Sequence, residues 1–225
     1  MDRFFDILFS GIALLLFFPL LVPIAIILKL TGEGEVFFLQ ERIGKRRKKF
    51  KLYKFATMLK NSPNIGTGTV TMRGDPRVLP VGKFLRKTKI NELPQLLNIF
   101  FGHMSVIGPR PLTTKTFEAY SENTQVLITQ VRPGLSGIGS IIFRDEEEIM
   151  HDAKASMDFY TTSIAPYKGA LEEWFVSNKS LYIYFVAIFV TAWAVLIPST
   201  KIAWRVFKDL PEPPPELKET LNYTD

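Results

Sequence analysis

The chain has no cysteine and only two histidines, His103 and His151. The first absence excludes disulfides and thiolate metal sites. The second argues against a zinc centre built on imidazoles. The segment 45–51, KRRKKFK, contains no acid, no internal repeat recurs, and no long flexible linker precedes the last residues. What is present is apolar and basic. Hydrophobic residues make up 47% of the 225 residues, and the formal charge is +6. Much of the apolar content lies in 4–30 and 181–198, and the remainder is enough for one modest core.

Residues 7–28, ILFSGIALLLFFPLLVPIAIIL, form an uncharged run long enough to cross a bilayer. A cleaved signal peptide is not expected, because Asp2 and Asp6 replace a basic leading region and the run is long. Pro19 and Pro23 fall inside it, and proline removes a backbone donor and clashes with the preceding turn. Arg3 and Lys29 flank it and the basic cluster follows, so the positive-inside bias draws both ends to the cytoplasmic face. A broken helix that enters and leaves by one face satisfies both observations; an ordinary kinked transmembrane helix is the simpler alternative. The stretch 181–198 carries no charge and is rich in aromatics, with Lys179 before it and Lys201, Arg205 and Lys208 after it. Basic flanks on both sides favour an interfacial helix over a span or a buried one. Residues 209–225 are proline-rich and polar and read as extended or disordered.

Between these segments the pattern is mixed α/β and mostly helical. Residues 36–44 end in a glycine turn, and 48–58 alternate partly, as a short strand does. Residues 61–70 form a loop, and 75–90 are a turn leading into a basic amphipathic helix. Residues 112–130 are helical, 132–140 a glycine-rich loop, and 145–163 a charged helix. The expected division is a membrane helix over 1–30, a catalytic domain over 31–180, a hydrophobic membrane-associated helix over 181–208 and a polar tail over 209–225.

The chemistry concentrates in 91–111, NELPQLLNIFFGHMSVIGPRP. Asn91 suits a helix N-cap, whose side-chain oxygen accepts from a first-turn amide. Glu92 then falls where the helix dipole favours negative charge, and Pro94 is tolerated in a first turn. Taken alone, the segment is a well-capped helix start. Arg77, Arg86 and Arg110 are suited to bidentate phosphate contacts. An acid near several arginines is the combination that phosphoryl transfer needs.

These pieces resemble, in order, the small monotopic phosphoglycosyl transferases, the bacterial sugar transferases that begin glycans on polyprenyl phosphate. Arg3-Phe4-Phe5-Asp6 opens the series. Phe38 to Gly44 (FLQERIG), Phe50 to Phe55 (FKLYKF), Asp75-Pro76-Arg77 and Gly82 to Arg86 (GKFLR) follow. Glu92 to Leu96 (ELPQL) with Asn98, Met104 to Pro111 (MSVIGPRP) and Arg132 to Gly137 (RPGLSG) complete it. The match covers about residues 2–185. Each motif is weak alone, but the ordered set is specific.

The resemblance implies transfer of a sugar-1-phosphate from a UDP-sugar to undecaprenyl phosphate with release of UMP, aided by Mg²⁺. That is the first membrane step of exopolysaccharide, O-antigen or glycoconjugate synthesis. It also implies a re-entrant N-terminal helix hairpin with a catalytic domain on the cytoplasmic face of the bacterial inner membrane. In the family's usual mechanism the aspartate of an Asp-Glu pair attacks the β-phosphate and forms a covalent phosphosugar. Here that position is Asn91, and an amide is a poor attacker at phosphorus. Four readings stay open. Glu92 is the nucleophile with Asn91 as cap and orienting group; the lipid phosphate attacks directly while Glu92 holds Mg²⁺; the asparagine is an introduced substitution that traps substrate; or the protein is a catalytically silent scaffold that binds lipid or nucleotide-sugar. His103 and Ala56 also stand where the family commonly has aspartate and arginine.

Lys54 is expected to neutralise phosphate, Arg77, Arg86 and Arg110 to clamp diphosphate or lipid phosphate, and Arg132 to contact nucleotide. Asp75 is expected to cap a turn, His103 to sit structurally near one, and His151 to be solvated. The basic run 45–51 faces anionic membrane lipid; nucleic acid is not expected, since neither interleaved aromatics nor a recognition helix accompanies it. A homodimer stays open.

Overall fold

The computed structural model describes residues 2–64, 75–144, 159–197 and 202–223. The helix expected over 145–163, with His151, lies largely outside them. The described chain is mostly helical with two small sheets. It packs as two compact units. The N-proximal unit holds Phe5–Glu41 and Lys51–Phe101; the C-proximal unit holds Met1–Phe4, Arg42–Phe50 and Gly102–Asp225.

The N-proximal unit is organised by helix α1 (Asp2–Leu30), which runs through Pro19 and Pro23 as one element. It is the one described helix long and apolar enough to cross a membrane, with a mean hydropathy of 2.8 over its most apolar window. Leu15, Leu16 and Phe18 on it are exposed. Its far end is different. Ile24 and Leu28 are buried against Phe55 and Leu85, with Val36, Val81 and Ile90 packed around them.

Phe55 ends strand β2 (Lys49–Phe55), which pairs with β1 (Phe37–Ile43). Phe37 stacks on Phe55, with ring centroids 5.7 Å apart. Leu85 belongs to α2 (Pro80–Lys87), which starts on a proline and carries Arg86 and Lys87 in its last turn. Gly82 lets α2 lie on the strand's exit: a Cβ there would sit 2.2 Å from the Thr57 carbonyl oxygen. Lys89, in the left-handed conformation at φ 58°, reverses the chain into a 3₁₀ turn, Ile90–Glu92. Helix α3 (Gln95–Phe100) follows.

In the C-proximal unit, β3 (Ser105–Ile107) lies parallel to β4 (Gly134–Ser136), pairing Ser105 with Gly134 and Ile107 with Ser136. Residues 132–140 are therefore not simply the loop their glycines suggest. The glycines serve close backbone approach: a Cβ on Gly134 would meet the Gly108 nitrogen at 2.1 Å. The helical region 112–130 divides into α4 (Thr114–Glu118) and α5 (Glu122–Ile128), because Ser121 caps the second by accepting from the Thr124 amide. Phe117, Tyr120 and Ile128 form a core with Leu112 and Ala165. Then come α6 (Ile138–Ile142), a π-helical turn (Tyr160–Ile164), α7 (Ala165–Ser177) and α8 (Leu181–Leu196).

Helix α8 buries Tyr184, Ala187, Val190 and Ala194 and exposes Tyr182, Phe189, Val195 and Leu196. Both faces are apolar. At about 24 Å it is shorter than a hydrocarbon core of roughly 30 Å. The tail is a correction to its composition. After α9 (Ile202–Val206), Phe207, Leu217 and Leu221 are buried, the Tyr167 hydroxyl donates to the Pro211 carbonyl at 2.8 Å, and Pro215–Lys218 form α10. Prolines shape this segment into a packed strap.

Candidate active site

Lys54 and Glu92, 38 residues apart in sequence, are joined in the N-proximal unit: the ammonium donates to Glu92 Oε1 at 2.8 Å. Their side chains are 21% and 33% exposed, so the pair is neither sealed nor fully solvated. Asn98 explains how they meet. It is fully buried. Its Oδ1 accepts from the Tyr53 amide at 2.9 Å, and its Nδ2 donates to the Lys51 carbonyl at 2.8 Å. One amide therefore fastens α3 to β2 at the residue before Lys54, while Glu92 lies in the turn leading into α3.

Asn91 is buried beside Glu92, and its Oδ1 has no hydrogen-bond partner. It is not the expected N-cap. The left-handed Lys89 starts the turn early, so Asn91 lies inside the 3₁₀ turn, and Pro94 precedes α3 without a side-chain cap.

Arg77 is a second correction. Its guanidinium is buried, with Nε donating to Asp75 Oδ1 at 2.8 Å, Nη2 to Asp75 Oδ2 at 2.5 Å and Nη1 to the Ser62 carbonyl at 2.7 Å. Asp75 also accepts from the Arg77 amide at 3.0 Å, the turn-capping role expected of it. Asp75 holds the Arg77 guanidinium above its ordinary value. Arg77 thus anchors a turn rather than presenting itself to phosphate. Arg86 is half-buried, with Nη1 3.7 Å from Met58 Sδ.

Arg110 and Arg132 belong to the C-proximal unit. Arg110 is exposed, and its amide donates to Glu172 Oε1 at 3.3 Å. Glu172 is a group that sequence reasoning did not single out. It is fully buried, its Oε2 has no hydrogen-bond partner, and desolvation pushes its carboxyl up to about 7, opposed by the Arg110 amide and by Lys168. Arg132 Nε donates to the Gly102 carbonyl at 2.9 Å. His103 stacks on Phe50 with centroids 6.0 Å apart, the structural place expected of it.

Among the described residues no three Asp, Glu, His or Cys side chains converge. A cage built by the protein alone is therefore not formed by them. Mg²⁺ is commonly held by one or two carboxylates together with substrate phosphates, and Glu92 offers a carboxylate of that kind. A partly exposed acid with a lysine beside it suits an anionic phosphate substrate.

The family model described as "Bacterial sugar transferase" matches residues 1–198. The exopolysaccharide production protein ExoY of Rhizobium meliloti (strain 1021) is 35% identical over 209 residues, covering 87% of this chain and 85% of ExoY. The UDP-N-acetylgalactosamine-undecaprenyl-phosphate N-acetylgalactosaminephosphotransferase of Aeromonas hydrophila is 35% identical over 201 residues, 86% of this chain and 43% of that protein. The UDP-glucose:undecaprenyl-phosphate glucose-1-phosphate transferase of Klebsiella pneumoniae is 41% identical over 143 residues, 62% of this chain and 30% of that enzyme. The chain therefore spans less than half the length of these last two relatives. The match across most of its length, falling on the segments that build the Lys54–Glu92 pair, places this chain in the bacterial sugar transferase family.

Proposed function

We propose that the protein transfers a sugar-1-phosphate from a UDP-sugar to undecaprenyl phosphate, releasing UMP, as the first membrane step of exopolysaccharide synthesis. The observation that carries this reading is the Lys54–Glu92 pair, fastened by Asn98 in a chain of this family. The named acceptor and donors of the relatives support it.

Glu92 supplies the carboxylate. One of its oxygens attacks the β-phosphorus, the bond from that phosphorus to the bridging oxygen breaks, and UMP leaves with the electron pair. A phosphate oxygen of the lipid then attacks the same phosphorus and Glu92 departs with its electrons. Lys54 and Arg86, which lie in the same unit as Glu92, neutralise phosphate oxygens. Glu92 would hold Mg²⁺ jointly with the diphosphate, and the ion would supply charge neutralisation there. Asn91, buried and without a charge, shapes the turn beneath Glu92.

The reaction is placed on the cytoplasmic face of the bacterial inner membrane. Basic residues at both ends of α1 support a re-entrant helix, although α1 runs unbroken through Pro19 and Pro23. The length and apolar exposed face of α8 support an interfacial position.

The test is UMP release in detergent with Mg²⁺, undecaprenyl phosphate and donors that include UDP-glucose and UDP-N-acetylgalactosamine. Lipid-dependent release is expected, and Glu92→Gln is expected to lose it while remaining folded. An active Glu92→Gln protein would overturn the role of Glu92. Radiolabelled sugar retained on the protein without acceptor distinguishes covalent from direct transfer. A silent scaffold is the second reading, favoured by Asn91 at the position where the family has its nucleophile; it predicts donor binding with no release.

A further inference from the structure

The two apolar helices of this chain begin at one spot. Asp2, the first residue of α1, accepts from the Lys179 ammonium at 2.6 Å, and Lys179 lies two residues before α8 starts at Leu181. Apolar side chains next to this junction face outward: Phe4 is 66% exposed and Tyr182 is 71% exposed. A surface at which the first residues of two apolar helices meet suits the boundary between bilayer and water.

Cations collect at the same junction. The β1–β2 turn brings Lys45 and Arg46. It is held by the Arg46 amide, which donates to the Thr129 carbonyl at 2.7 Å, and it places Arg46 in the left-handed region at φ 57°. A non-glycine residue there is strained unless its surroundings hold it. Arg132 is fixed from the other side by its bond to the Gly102 carbonyl. The Arg3 guanidinium packs over Gly102, where a Cβ would lie 3.2 Å from Nη2. Burial, and then Arg132, Arg46 and Lys179 in turn, hold the Lys45 ammonium below its ordinary value. Four separate segments, 3, 45–46, 132 and 179, thus bring five cations together, of which Asp2 offsets Lys179, and a bound anion removes the remaining cost.

We infer that Lys45, Arg46, Arg132 and Lys179 form a binding site for the phosphodiester headgroup of an anionic phospholipid, set at the base of α1 and α8. The inference rests on the membrane placement proposed above and adds to it a named site with a headgroup preference. Arg132, fixed by Gly102, supplies the planar donor fork, and the lysines supply point charges. The headgroup completes the charge balance and seats the junction at phosphate depth.

The test is titration of the full protein in non-ionic detergent with short-chain phosphatidylglycerol or phosphatidylcholine, with bound lipid read by native mass spectrometry. Phosphatidylglycerol is expected to bind more tightly than phosphatidylcholine, and more weakly as salt rises. Lys45→Met is expected to weaken it roughly fivefold, the worth of one cation near a lipid surface. Equal affinity for the two lipids overturns the proposal, as does unchanged binding by folded Lys45→Met protein. Inorganic phosphate displacing phosphatidylglycerol at equal concentration would identify a soluble-anion site instead. Binding of undecaprenyl phosphate alone would identify an acceptor site, and either result overturns the headgroup assignment. If Lys45→Met fails to fold, the lipid comparison and its salt dependence on the unaltered protein decide. UMP release by the same preparation, with undecaprenyl phosphate but no phospholipid, is scored separately, so failure of headgroup binding and failure of the transferase reading are distinguishable.

Discussion

Replacing Glu172 by glutamine should stabilise the protein, increasingly as pH rises above 4.5 and in full above about 7. The carboxyl has an ordinary value of 4.5, and burial raises it to about 7 in the folded chain. Below 4.5 it is protonated whether folded or not and costs nothing. Between those values the folded state holds a proton that the unfolded chain has lost, so stability falls as pH rises. Above 7 both states are ionised and the full penalty applies. Each pH unit between the two values is worth about 1.4 kcal/mol, so the penalty is about 3 kcal/mol.

The surroundings explain why so little offsets it. Oε1 receives one amide, from Arg110, at 3.3 Å; Oε2 receives no bond. The nearby Lys168 ammonium lies 5.0 Å from the centre of the Phe143 ring. A Cβ on Gly139 would come within 2.6 Å of Oε1, so a larger residue there has no room. Glutamine keeps an acceptor for the Arg110 amide and carries no charge. The assay is thermal unfolding in detergent, followed by tryptophan fluorescence, for both proteins from pH 5 to pH 8.5. The two midpoints should nearly coincide at pH 5 and separate by roughly 6–12 °C at pH 8. Parallel curves, or a less stable variant at pH 8, would refute the reasoning.

Asn98→Ala should leave the Tyr53 amide and the Lys51 carbonyl without their partner, costing about 2–5 kcal/mol. Because the amide positions Lys54, kcat should fall more than KM rises in a steady-state UMP assay; unchanged kinetics would remove that role. Gly82→Ala should destabilise the N-proximal unit, since its Cβ would lie 2.2 Å from a backbone oxygen; a thermal midpoint equal to the parent would contradict the close packing of α2. Leu217→Ala should cost about 2–5 kcal/mol by emptying a buried site. A midpoint indifferent to it would mean that the tail does not pack.

How legible these features were depends on the range of the interaction that creates them. The apolar run became α1, the alternation in 48–58 became β2, and the basic amphipathic pattern became α2, because each is a periodicity written locally. Glu92 and Lys54 were legible as motif residues. Their contact was not, because Asn98 brings them together through backbone groups 45 and 47 residues away. Asn91 was misplaced because Lys89 adopts a left-handed conformation without being glycine. The strand Gly134–Ser136 is too short to show a period, and its pairing with Ser105–Ile107 is non-local. The tail's prolines concealed Leu217, inside α10, and Leu221, just beyond it, whose amide donates to the Leu217 carbonyl at 2.9 Å.

That tail has a bearing on the order in which the molecule is made. Every residue of the N-proximal unit lies at or before Phe101. The C-proximal unit buries Phe207, Leu217 and Leu221. A chain emerging from the ribosome N-terminus first therefore holds all the material for the Lys54–Glu92 unit once Phe101 has emerged. The other unit waits for Phe207, Leu217 and Leu221, more than a hundred residues further on, before its interior is filled. Until then it presents apolar side chains that have no partner yet, which makes the interval between Phe101 and Leu221 the stretch of synthesis in which this protein most needs a chaperone or the membrane itself.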